Sequence, residues 1–505
     1  MFFSLHRLSD RLLSKNYLIN CNDELSSFFY YLIKFNTSIL SVGLKVCLIS
    51  TYDLGHQPFG IASPARWLED AGAIVNCIDL AVESMEQDAV KFAGLIAIYL
   101  PMHTATRLAI AMLPKIQKLN SSAHLAFYGL YATINKDHLR DLGGKTIISG
   151  EFEDSLVQLY RRLVNHTFVQ DSDLVSLKRQ IFRIPKRSNL PNLNNYAKLK
   201  IGKDQSIVVG YTEGTRGCKH ICRHCPVVPV YNGRFFVVQP DVVMADIRQQ
   251  VEAGAEHITF GDPDFFNGPG HAIRLVESFH VEFPKLTYDV TIKIEHLLAH
   301  REKLRRLAET GCLFVTTAVE EVDDNILGKL DKRHTRADFV EAVYATRAAG
   351  LTPSPTFIPF NPWTTLFGFI DLLAMIIELD LIENVAPVQL AIRLLIPAGS
   401  RILELAEMKH YISGFDAEKL SYKWTPADPC VDDLQSKVYE AIQLGEREGA
   451  NRREIFEQVW ALAHNACKQS APALPPERAD SSPVPAMSEP WYCCAEPTDE
   501  QVAGM

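Results

Sequence analysis

The chain lacks two features that would assign it to common protein classes. It has no excess of positive charge, since 51 Lys and Arg residues face 60 Asp and Glu residues, a formal net charge of −9. A nucleic-acid surface is normally basic, so this balance disfavours nucleic acid as a partner. The sequence also has no apolar run of the ~20 residues that a membrane span needs. A membrane is therefore not an expected partner either.

A clean targeting signal is also missing from the first 43 residues. The apolar run 28–33 is followed at once by Lys34, and charged residues recur before it. This pattern fits neither a signal peptide nor a membrane span. We expect residues 1–43 to be a poorly structured extension, which a misassigned start site would explain.

Most of the 11 cysteines are scattered, without the spacing of a disulfide framework. Free thiols suit a reducing compartment, so a cytoplasmic location is expected. The exception is the segment TRGCKHICRHCP, which contains Cys218, Cys222 and Cys225. Three thiolates on one short loop can hold three irons of a [4Fe–4S] cluster and leave the fourth iron open.

A zinc site is the alternative interpretation of this loop. His220 or His224 would then be the fourth ligand beside the three cysteines. Zinc sites usually pair two C-x2-C knuckles, and the chain has no second one. The sequence therefore favours the iron–sulfur cluster.

Residues 44–165 alternate short apolar runs with helical patterns. Such alternation indicates a parallel sheet with helices on both faces, which is a doubly wound, Rossmann-like domain. Sheets of this kind bind ligands at the carboxyl ends of their strands. The predicted strands are 44–50, 74–80, 95–100, 124–128 and 145–149, and their carboxyl ends are 52–56, 101–104, 129–131 and 150–151.

A second α/β region follows a polar, turn-rich segment, 166–204, which we interpret as a linker. Residues 205–400 repeat a strand–helix unit about six times. Parallel units of this number favour a partial (β/α)6 TIM barrel, whose site lies at the carboxyl ends of the strands. The strands are predicted at 206–211, 257–261, 287–294, 312–318, 352–358 and 387–395.

Polar residues follow several of these predicted strands. Asp262 and Asp264 could accept hydrogen bonds from an ammonium group, or they could cap the turn before the next helix. Arg393 lies within the apolar sixth run and needs an anionic partner, which could be a ligand carboxylate or an internal salt bridge. The other strand-end candidates are Gly261, Glu295, Glu320 and Glu321.

The C-terminal part has two predicted regions. Residues 401–468 are expected to be helical and to pack against the open side of the barrel. Residues 469–505 are expected to be a flexible tail, because 469–490 are rich in Pro, Ser and Ala. This tail carries the adjacent pair Cys493 and Cys494 in the sequence WYCCAEP.

The cysteine loop, with a ring-bearing residue before its third cysteine, resembles the signature of the radical S-adenosylmethionine (SAM) superfamily. This likeness implies that the open iron binds the amino and carboxylate groups of SAM, whose reductive cleavage yields a 5′-deoxyadenosyl radical. It also implies an electron donor such as flavodoxin or ferredoxin. Gly261 occupies the place of the family's "GGE" segment, and Glu295, Glu320 and Arg393 occupy places where the family binds SAM.

Residues 44–165 resemble the cobalamin-binding domain that precedes many radical SAM domains. The likeness makes Tyr52, Gly129, Gly150 and Glu151 cofactor-binding candidates. In the related methionine-synthase type, a D-x-H-x-x-G loop supplies a histidine to cobalt. Here the spacing from Asp53 to His56 differs, so we expect His56 not to bind cobalt. A Rossmann-like module that binds another ligand, or none, is the alternative.

The tail resembles that of the CUAEP/CCAEP-tail radical SAM (seleno)proteins, whose members carry Cys or selenocysteine there. Cys494 corresponds to the selenocysteine and is the better candidate for a reactive position. A thiol pair can exchange with disulfides or bind a soft metal. An inert chain end is the alternative.

The sequence thus predicts a radical SAM enzyme that uses cobalamin to methylate an unactivated carbon of an unknown small-molecule or peptide substrate. A second hypothesis keeps the radical but replaces methyl transfer with rearrangement, cyclisation or sulfur or selenium chemistry. A third is a non-catalytic metal-binding or redox-sensing module.

Overall fold

The structure is a computed structural model. It describes residues 43–167, 172–202, 205–476 and 484–489. Residues 1–42, with nearly all of the predicted N-terminal extension, lie outside the described residues. None of the helices within these ranges is long and apolar enough to cross a membrane.

The first sheet has six parallel strands in the order β2-β1-β3-β4-β5-β6. Its strands are β1 (Lys45–Ser50), β2 (Ile74–Asp79), β3 (Leu95–Tyr99), β4 (His124–Tyr128), β5 (Thr146–Gly150) and β6 (Ser172–Ser176). The helices between them are α1 (Phe59–Asp70), α2 (Gln87–Lys91), α3 (His103–Leu119), α4 (Leu130–Ile134), α5 (Lys136–Asp141) and α6 (Phe152–Val164). The sixth strand lies in the segment that the sequence indicated as a linker.

Successive residues of β1 face two separate cores, which explains the continuous apolar run. Val46 and Leu48 pack with α1 and α6 on one face of the sheet. Cys47 and Ile49 pack with α3 on the other face. A strand buried on both faces needs apolar residues at every position.

The second sheet is a curled half-barrel in the order β14-β13-β12-β11-β8-β7-β17, in which β8 and β11 to β14 are parallel. Its strands are β7 (Lys198–Lys200), β8 (Ser206–Thr212), β11 (His257–Phe260), β12 (Thr287–Thr291), β13 (Cys312–Glu320), β14 (Thr352–Phe357) and β17 (Ala486–Met487). A short ribbon, β9 (Thr215–Gly217) with β10 (Phe235–Val237), lies beyond β8.

The helices of this region are α7 (Val228–Tyr231), α8 (Pro240–Glu252), α9 (Pro269–Glu282), α10 (Ile294–Ala299), α11 (Arg301–Glu309), α12 (Asp324–Leu330), α13 (Arg336–Ala348) and α14 (Leu366–Glu378). Short 3-10 helices occur at Leu193–Asn195, Phe265–Asn267, Ile382–Asn384, Pro387–Leu390, Arg401–Glu404 and Ala406–His410.

The predicted sixth barrel strand, 387–395, is not a strand. Pro387 begins a 3-10 helix, and the segment then makes a single bridge between Phe360 and Arg393. Its apolar residues are buried by other elements, with Leu390 in the main core and Ile392 in a neighbouring cluster. The barrel therefore has five parallel strands among the described residues, instead of the six that a (β/α)6 barrel requires.

The region after the barrel is only partly helical. It contains α15 (Cys430–Glu448) and α16 (Arg452–Ala466), which pack against each other and join the main core. Before them lies a hairpin of β15 (Ile412–Asp416) and β16 (Ser421–Trp424), which an all-helical prediction for 401–468 missed.

Arg187, in the predicted linker, connects the two sheets through the hydrogen bonds of its buried side chain. Its guanidinium makes two hydrogen bonds of 2.8 Å to Asp246 on α8 and one of 2.7 Å to the carbonyl of Tyr211 on β8. It also donates to the carbonyl of Gln57, in the loop that leads into α1, at 3.3 Å. The segment thus contributes a buried ionic contact, although its composition is typical of an exposed linker.

Candidate functional site

A cavity of about 370 Å3 lies between the two sheets. Both sheets contribute residues from the carboxyl ends of their parallel strands. Leu54, Tyr99, Leu130 and Phe152 form an apolar wall on the side of the first sheet. The barrel side contributes the cysteine loop and the polar residues after β11 and β13.

Cys218, Cys222 and Cys225 all line this cavity, on the loop between β9 and α7. Asn267 holds the loop from the barrel, since its Oδ1 accepts from the Lys219 N–H and its Nδ2 donates to the Gly217 carbonyl, both at 3.1 Å. The loop is therefore fixed at its base by a side chain that is itself buried.

The compact group of possible metal ligands does not include the three thiols. Among the described residues, the group of three possible ligands whose atoms lie within 4.8 Å of one another is His220, Asp264 and His296. The three loop cysteines remain the expected ligands of a [4Fe–4S] cluster.

His220, within the cysteine loop, has a buried carboxylate as its partner. His220 Nε2 donates to Asp264 Oδ2 at 2.9 Å, and His296 Nδ1 lies 2.6 Å from the same oxygen. Lys293 Nζ is 3.4 Å from His220 Nδ1. Asp264 also caps the next turn by accepting from the Phe266 N–H at 3.0 Å. The Asp264 carboxylate thus bonds to groups of the protein itself, which agrees with the alternative that it caps the turn before the next helix.

His224, before the third cysteine, has a carboxylate partner as well. Its Nε2 donates to Glu320 Oε1 at 3.2 Å, and Lys332 Nζ lies 3.2 Å from the same oxygen. Burial alone would raise the pKa of Glu320, but the Lys332 ammonium and the bond from His224 lower it to about 2. Glu320 is therefore an ionised wall residue of the cavity, held in place beside the cysteine loop.

Gly261 and Asp262 lie where β11 ends and also line the cavity. Asp262 accepts from the Gly214 N–H at 2.9 Å and from Thr215 Oγ1 at 2.5 Å. Burial outweighs these bonds and raises the pKa of Asp262 to about 7. The carboxyl group thus braces the strand that leads into the cysteine loop, which was not expected from the sequence.

Two predicted SAM-binding residues do not line the cavity. Arg393 forms a salt bridge with Asp432 on α15 and lies 3.7 Å from the ring centre of Trp424, as the internal salt-bridge alternative describes. Glu295, at the start of α10, is partly exposed and lies 3.4 Å from Lys293 Nζ. Neither residue is among those that line the cavity.

The first sheet contributes its strand-end loops, as expected. Gly129 has a φ of 107°, and a side chain there would meet the Leu100 carbonyl at 2.7 Å. His56 packs against Tyr211 with 4.8 Å between ring centres and 31° between ring planes, and burial lowers the pKa of His56 to about 4. The imidazole is therefore neutral, and it is packed on a barrel tyrosine at the cavity wall.

Arg216, two residues before the first cysteine, links the cysteine loop to the first sheet. Its guanidinium lies 2.6 Å from Glu153 and 3.4 Å from Glu151, at the start of α6, and 2.7 Å from Glu213. Burial raises the pKa of Glu151 to about 7 despite this charge. Glu151 therefore serves this ionic group and the hydroxyl of Tyr231, at 2.9 Å, instead of lining the cavity.

Two cavity residues come from the far end of the chain. Met487 and Glu489 line the cavity, and the hydroxyl of Tyr52 donates to Glu489 at 2.5 Å. Tyr52 therefore contacts the C-terminal segment, although the sequence suggested a cofactor. Residues 484–489 lie against the barrel, where a mobile linker was expected, and Cys493 and Cys494 lie outside the described residues.

Sequence reasoning missed Arg216, Lys332, Tyr211 and Glu489. Arg216 adjoins the cysteine motif, and a charged residue between a predicted strand and a metal loop is a signal that could have been used. Lys332, Tyr211 and Glu489 have no comparable signal, because only the fold brings them to the cavity.

Comparison with known proteins agrees with this geometry. Residues 212–372 match the model of the Radical SAM superfamily. The hopanoid C-3 methylase of Methylococcus capsulatus is 25% identical over 151 residues, which is 30% of this chain and 29% of that protein. The match thus spans less than a third of the methylase.

Solved structures of other proteins share the fold, and two of them illustrate this. One is the cobalamin-dependent S-adenosylmethionine radical enzyme OxsB with aqua-cobalamin and S-adenosylmethionine bound, at a TM-score of 0.63 and 13% identity over 80% of this chain and 67% of that chain. The other is the radical S-adenosylmethionine methyltransferase TsrM from Kitasatospora setae, with tryptophan substrate and a SAM analogue bound. Its TM-score is 0.57, at 16% identity over 66% of this chain and 71% of that chain.

The chain therefore contains a radical SAM domain and has the fold of cobalamin-dependent radical SAM enzymes.

Proposed function

We propose that this protein is a cobalamin-dependent radical SAM methyltransferase that acts on an unactivated carbon of a small-molecule or peptide substrate. The observation that carries the proposal is the single cavity in which the three loop cysteines face the strand-end loops of the first sheet. Two cofactors bound on opposite walls of such a cavity would act on one substrate between them.

The residues fit the proposed cofactors. Cys218, Cys222 and Cys225 would hold the [4Fe–4S] cluster, and the strand ends after β11 and β13 would hold SAM. The apolar wall of Leu54, Tyr99, Leu130 and Phe152 suits a flat macrocycle such as the corrin ring. When bound, these groups supply a 5′-deoxyadenosyl radical and a transferable methyl group.

The protein itself would orient the two cofactors and the substrate and exclude water from the cavity. Asn267 and Asp262 fix the base of the cysteine loop, and the buried ion pair of Lys332 and Glu320 lies beside it. Arg216 joins this loop to the first sheet through Glu151 and Glu153. The two walls of the cavity are thereby held at a constant separation, which a radical reaction between two cofactors requires.

The experiment is anaerobic reconstitution with iron, sulfide, hydroxocobalamin and SAM. A low-potential electron donor such as flavodoxin or ferredoxin, or a chemical reductant, starts the reaction. We expect 5′-deoxyadenosine, about one corrinoid per chain, and label from methyl-labelled SAM on the corrinoid. Corrinoid-free protein that still forms 5′-deoxyadenosine would indicate a radical enzyme without methyl transfer. Absence of 5′-deoxyadenosine would contradict the radical SAM proposal itself.

A further inference from the structure

The cysteine loop carries cationic side chains as well as thiols. Lys219 is exposed and Arg223 is half-buried, and neither is among the residues that line the cavity. Lys219 follows Cys218 directly, and Arg223 follows Cys222. Adjacent Cα atoms are about 3.8 Å apart, so both cationic side chains start close to a thiol. The same short loop thus places thiols at the cavity and positive charge outside it.

Two further arginines adjoin the outer side of this loop. The turn before the exposed Arg234 packs on it, since a Cβ at Gly233 would lie 3.5 Å from the Lys219 carbonyl oxygen and from Ile221 Cγ2. Arg401 donates to the Ile221 carbonyl at 3.3 Å, and its side chain is 28% exposed. We call Lys219, Arg223, Arg234 and Arg401 the basic face.

The basic face is positively charged on a chain whose formal net charge is −9. Among the described residues, Glu404 is the carboxylate that pairs with it, at 3.0 Å from Arg401. The hydrogen bond from Arg401 and the nearby charge of Arg223 lower the pKa of Glu404. Four cations and one carboxylate leave a formal charge of +3.

The ion pairs beside the basic face do not cancel this charge. Lys329 pairs with Glu407 at 2.5 Å, and Arg333 with Asp331 at 3.6 Å. Each of these pairs is neutral as a unit. The surface over the cysteine loop is therefore opposite in sign to the chain as a whole.

The proposed chemistry needs an electron from outside the protein. Each reductive cleavage of SAM consumes one electron, so a low-potential carrier is oxidised by one electron as the cluster is reduced by one, and no atom is transferred. Electron-transfer encounters between proteins bury little surface and depend on complementary charge for their orientation. A small charged face beside the cluster ligands is sufficient for such an encounter.

We propose that the basic face is the docking surface of an acidic one-electron carrier protein, which reduces the cluster across the cysteine loop. This inference rests on the proposed function, because it requires a cluster on Cys218, Cys222 and Cys225. The negative charge of the rest of the chain repels an acidic carrier. The basic face attracts the carrier and orients it towards the cysteines.

The first test locates the carrier without turnover. A carbodiimide joins a carboxylate of one protein to a lysine of another at contact distance, and an acidic flavodoxin serves as the probe with the full-length protein. Peptide mass spectrometry should find flavodoxin joined to Lys219 and not to Lys115 or Lys118, which are exposed on α3. Salt should suppress the Lys219 product, because it screens exposed charges. Equal products at Lys219 and Lys115, or none at Lys219, would overturn the proposal.

The second test measures the reduction of the cluster. Lys219→Glu combined with Arg234→Glu reverses two exposed charges of the basic face. Lys115→Glu combined with Lys118→Glu is the matched control, because it changes the net charge by the same amount. At low ionic strength, reduced flavodoxin should reduce the cluster of the first double variant about tenfold more slowly than that of wild type, and that of the control at nearly the wild-type rate. Equal rates in the two double variants, followed by stopped-flow absorption, would show that this face does not bind the carrier.

Chemical reduction separates this inference from the proposed function. Dithionite needs no docking surface, so it should reduce the cluster of both double variants to the wild-type extent, as measured by electron paramagnetic resonance. A cluster that dithionite reduces without forming 5′-deoxyadenosine would contradict the proposed function and leave the docking result in place.

The remaining control concerns the other large anion that a basic face can bind. A short DNA duplex, equimolar with flavodoxin, should leave the Lys219 cross-link intact. Loss of the cross-link in its presence would overturn the assignment to an electron carrier and indicate a nucleic-acid site instead.

Discussion

The buried pair of Arg187 and Asp246 allows a quantitative test of how the two sheets are held together. Their side chains are 6% and 1% exposed, and the two hydrogen bonds between them are both 2.8 Å long. Asp246 also accepts from Thr212 Oγ1 at 2.9 Å, and Arg187 also donates to the Tyr211 carbonyl. Removing either charge leaves its partner ionised and buried, which costs several kcal/mol.

The perturbation is a double-mutant cycle of Arg187→Met and Asp246→Asn. Arg187→Met should lower the free energy of unfolding by about 3–5 kcal/mol, since it strands the Asp246 carboxylate. The double variant has no buried charge at this place. It should therefore be more stable than the sum of the single changes predicts, by about 1–3 kcal/mol.

The assay is anaerobic urea unfolding of the cluster-free protein, followed by intrinsic fluorescence. Arg248 on the same helix provides the matched control, because its pair with Glu282 is exposed (49% and 34% of the side chains). Arg248→Met should cost less than about 1 kcal/mol. If Arg187→Met cost no more than Arg248→Met, or if the cycle were additive, Arg187 would not be the buried link between the sheets.

Three further predictions concern single side chains. Cys222→Ala should abolish the [4Fe–4S] absorption and 5′-deoxyadenosine formation, while Cys430→Ser should retain both; full activity of Cys222→Ala would contradict the cluster assignment. His56→Ala should retain its corrinoid with an unchanged cobalt(II) spectrum, because the ring packs against Tyr211; a lost nitrogen hyperfine signal would refute this. His334 has two buried ring nitrogens without hydrogen bonds to the described residues, and burial lowers its pKa to about 3. Below pH 6.5 the unfolded state binds a proton that the folded ring does not, so the free energy of unfolding falls progressively as pH drops from 6.5 towards the folded pKa. His334→Phe should therefore gain stability relative to wild type, by at most about 2 kcal/mol between pH 7 and 5; a constant difference in urea midpoint over that range would contradict it.

Local patterns were sufficient for the first sheet and for the cysteine loop. Strands buried on both faces are continuous apolar runs, so five of the six strands of the first sheet were predicted nearly to the residue. The sixth, Ser172–Ser176, has only two apolar residues, Leu174 and Val175, and its pairing with β5 cannot be read from its own sequence. The cysteine spacing indicated a cluster because a short loop constrains its own ligands.

The sequence did not show those features that depend on contacts between residues distant along the chain. The run at 387–395 is as apolar as a strand, but its residues are buried by packing and not by strand pairing. Arg187 lies in a polar segment, and its burial depends on Asp246 and Tyr211. Arg393 required an anionic partner, but the choice of Asp432 over a ligand required the fold.

The ionic group around Arg216 determines how a large ligand can reach the cavity. Moving the two sheets apart as rigid bodies would withdraw a buried guanidinium from Glu151 and Glu153, at a cost of at least about 3–5 kcal/mol. Detaching residues 484–489 breaks the short pairing with β7, the bonds between Ser488 and Lys198, the packing of Met487 and the contact of Tyr52 with Glu489. Local detachment is thus the lower-energy opening, as expected for elements with few buried contacts. Entry and exit of cofactors and product would therefore follow the kinetics of a six-residue edge segment and not those of a domain motion.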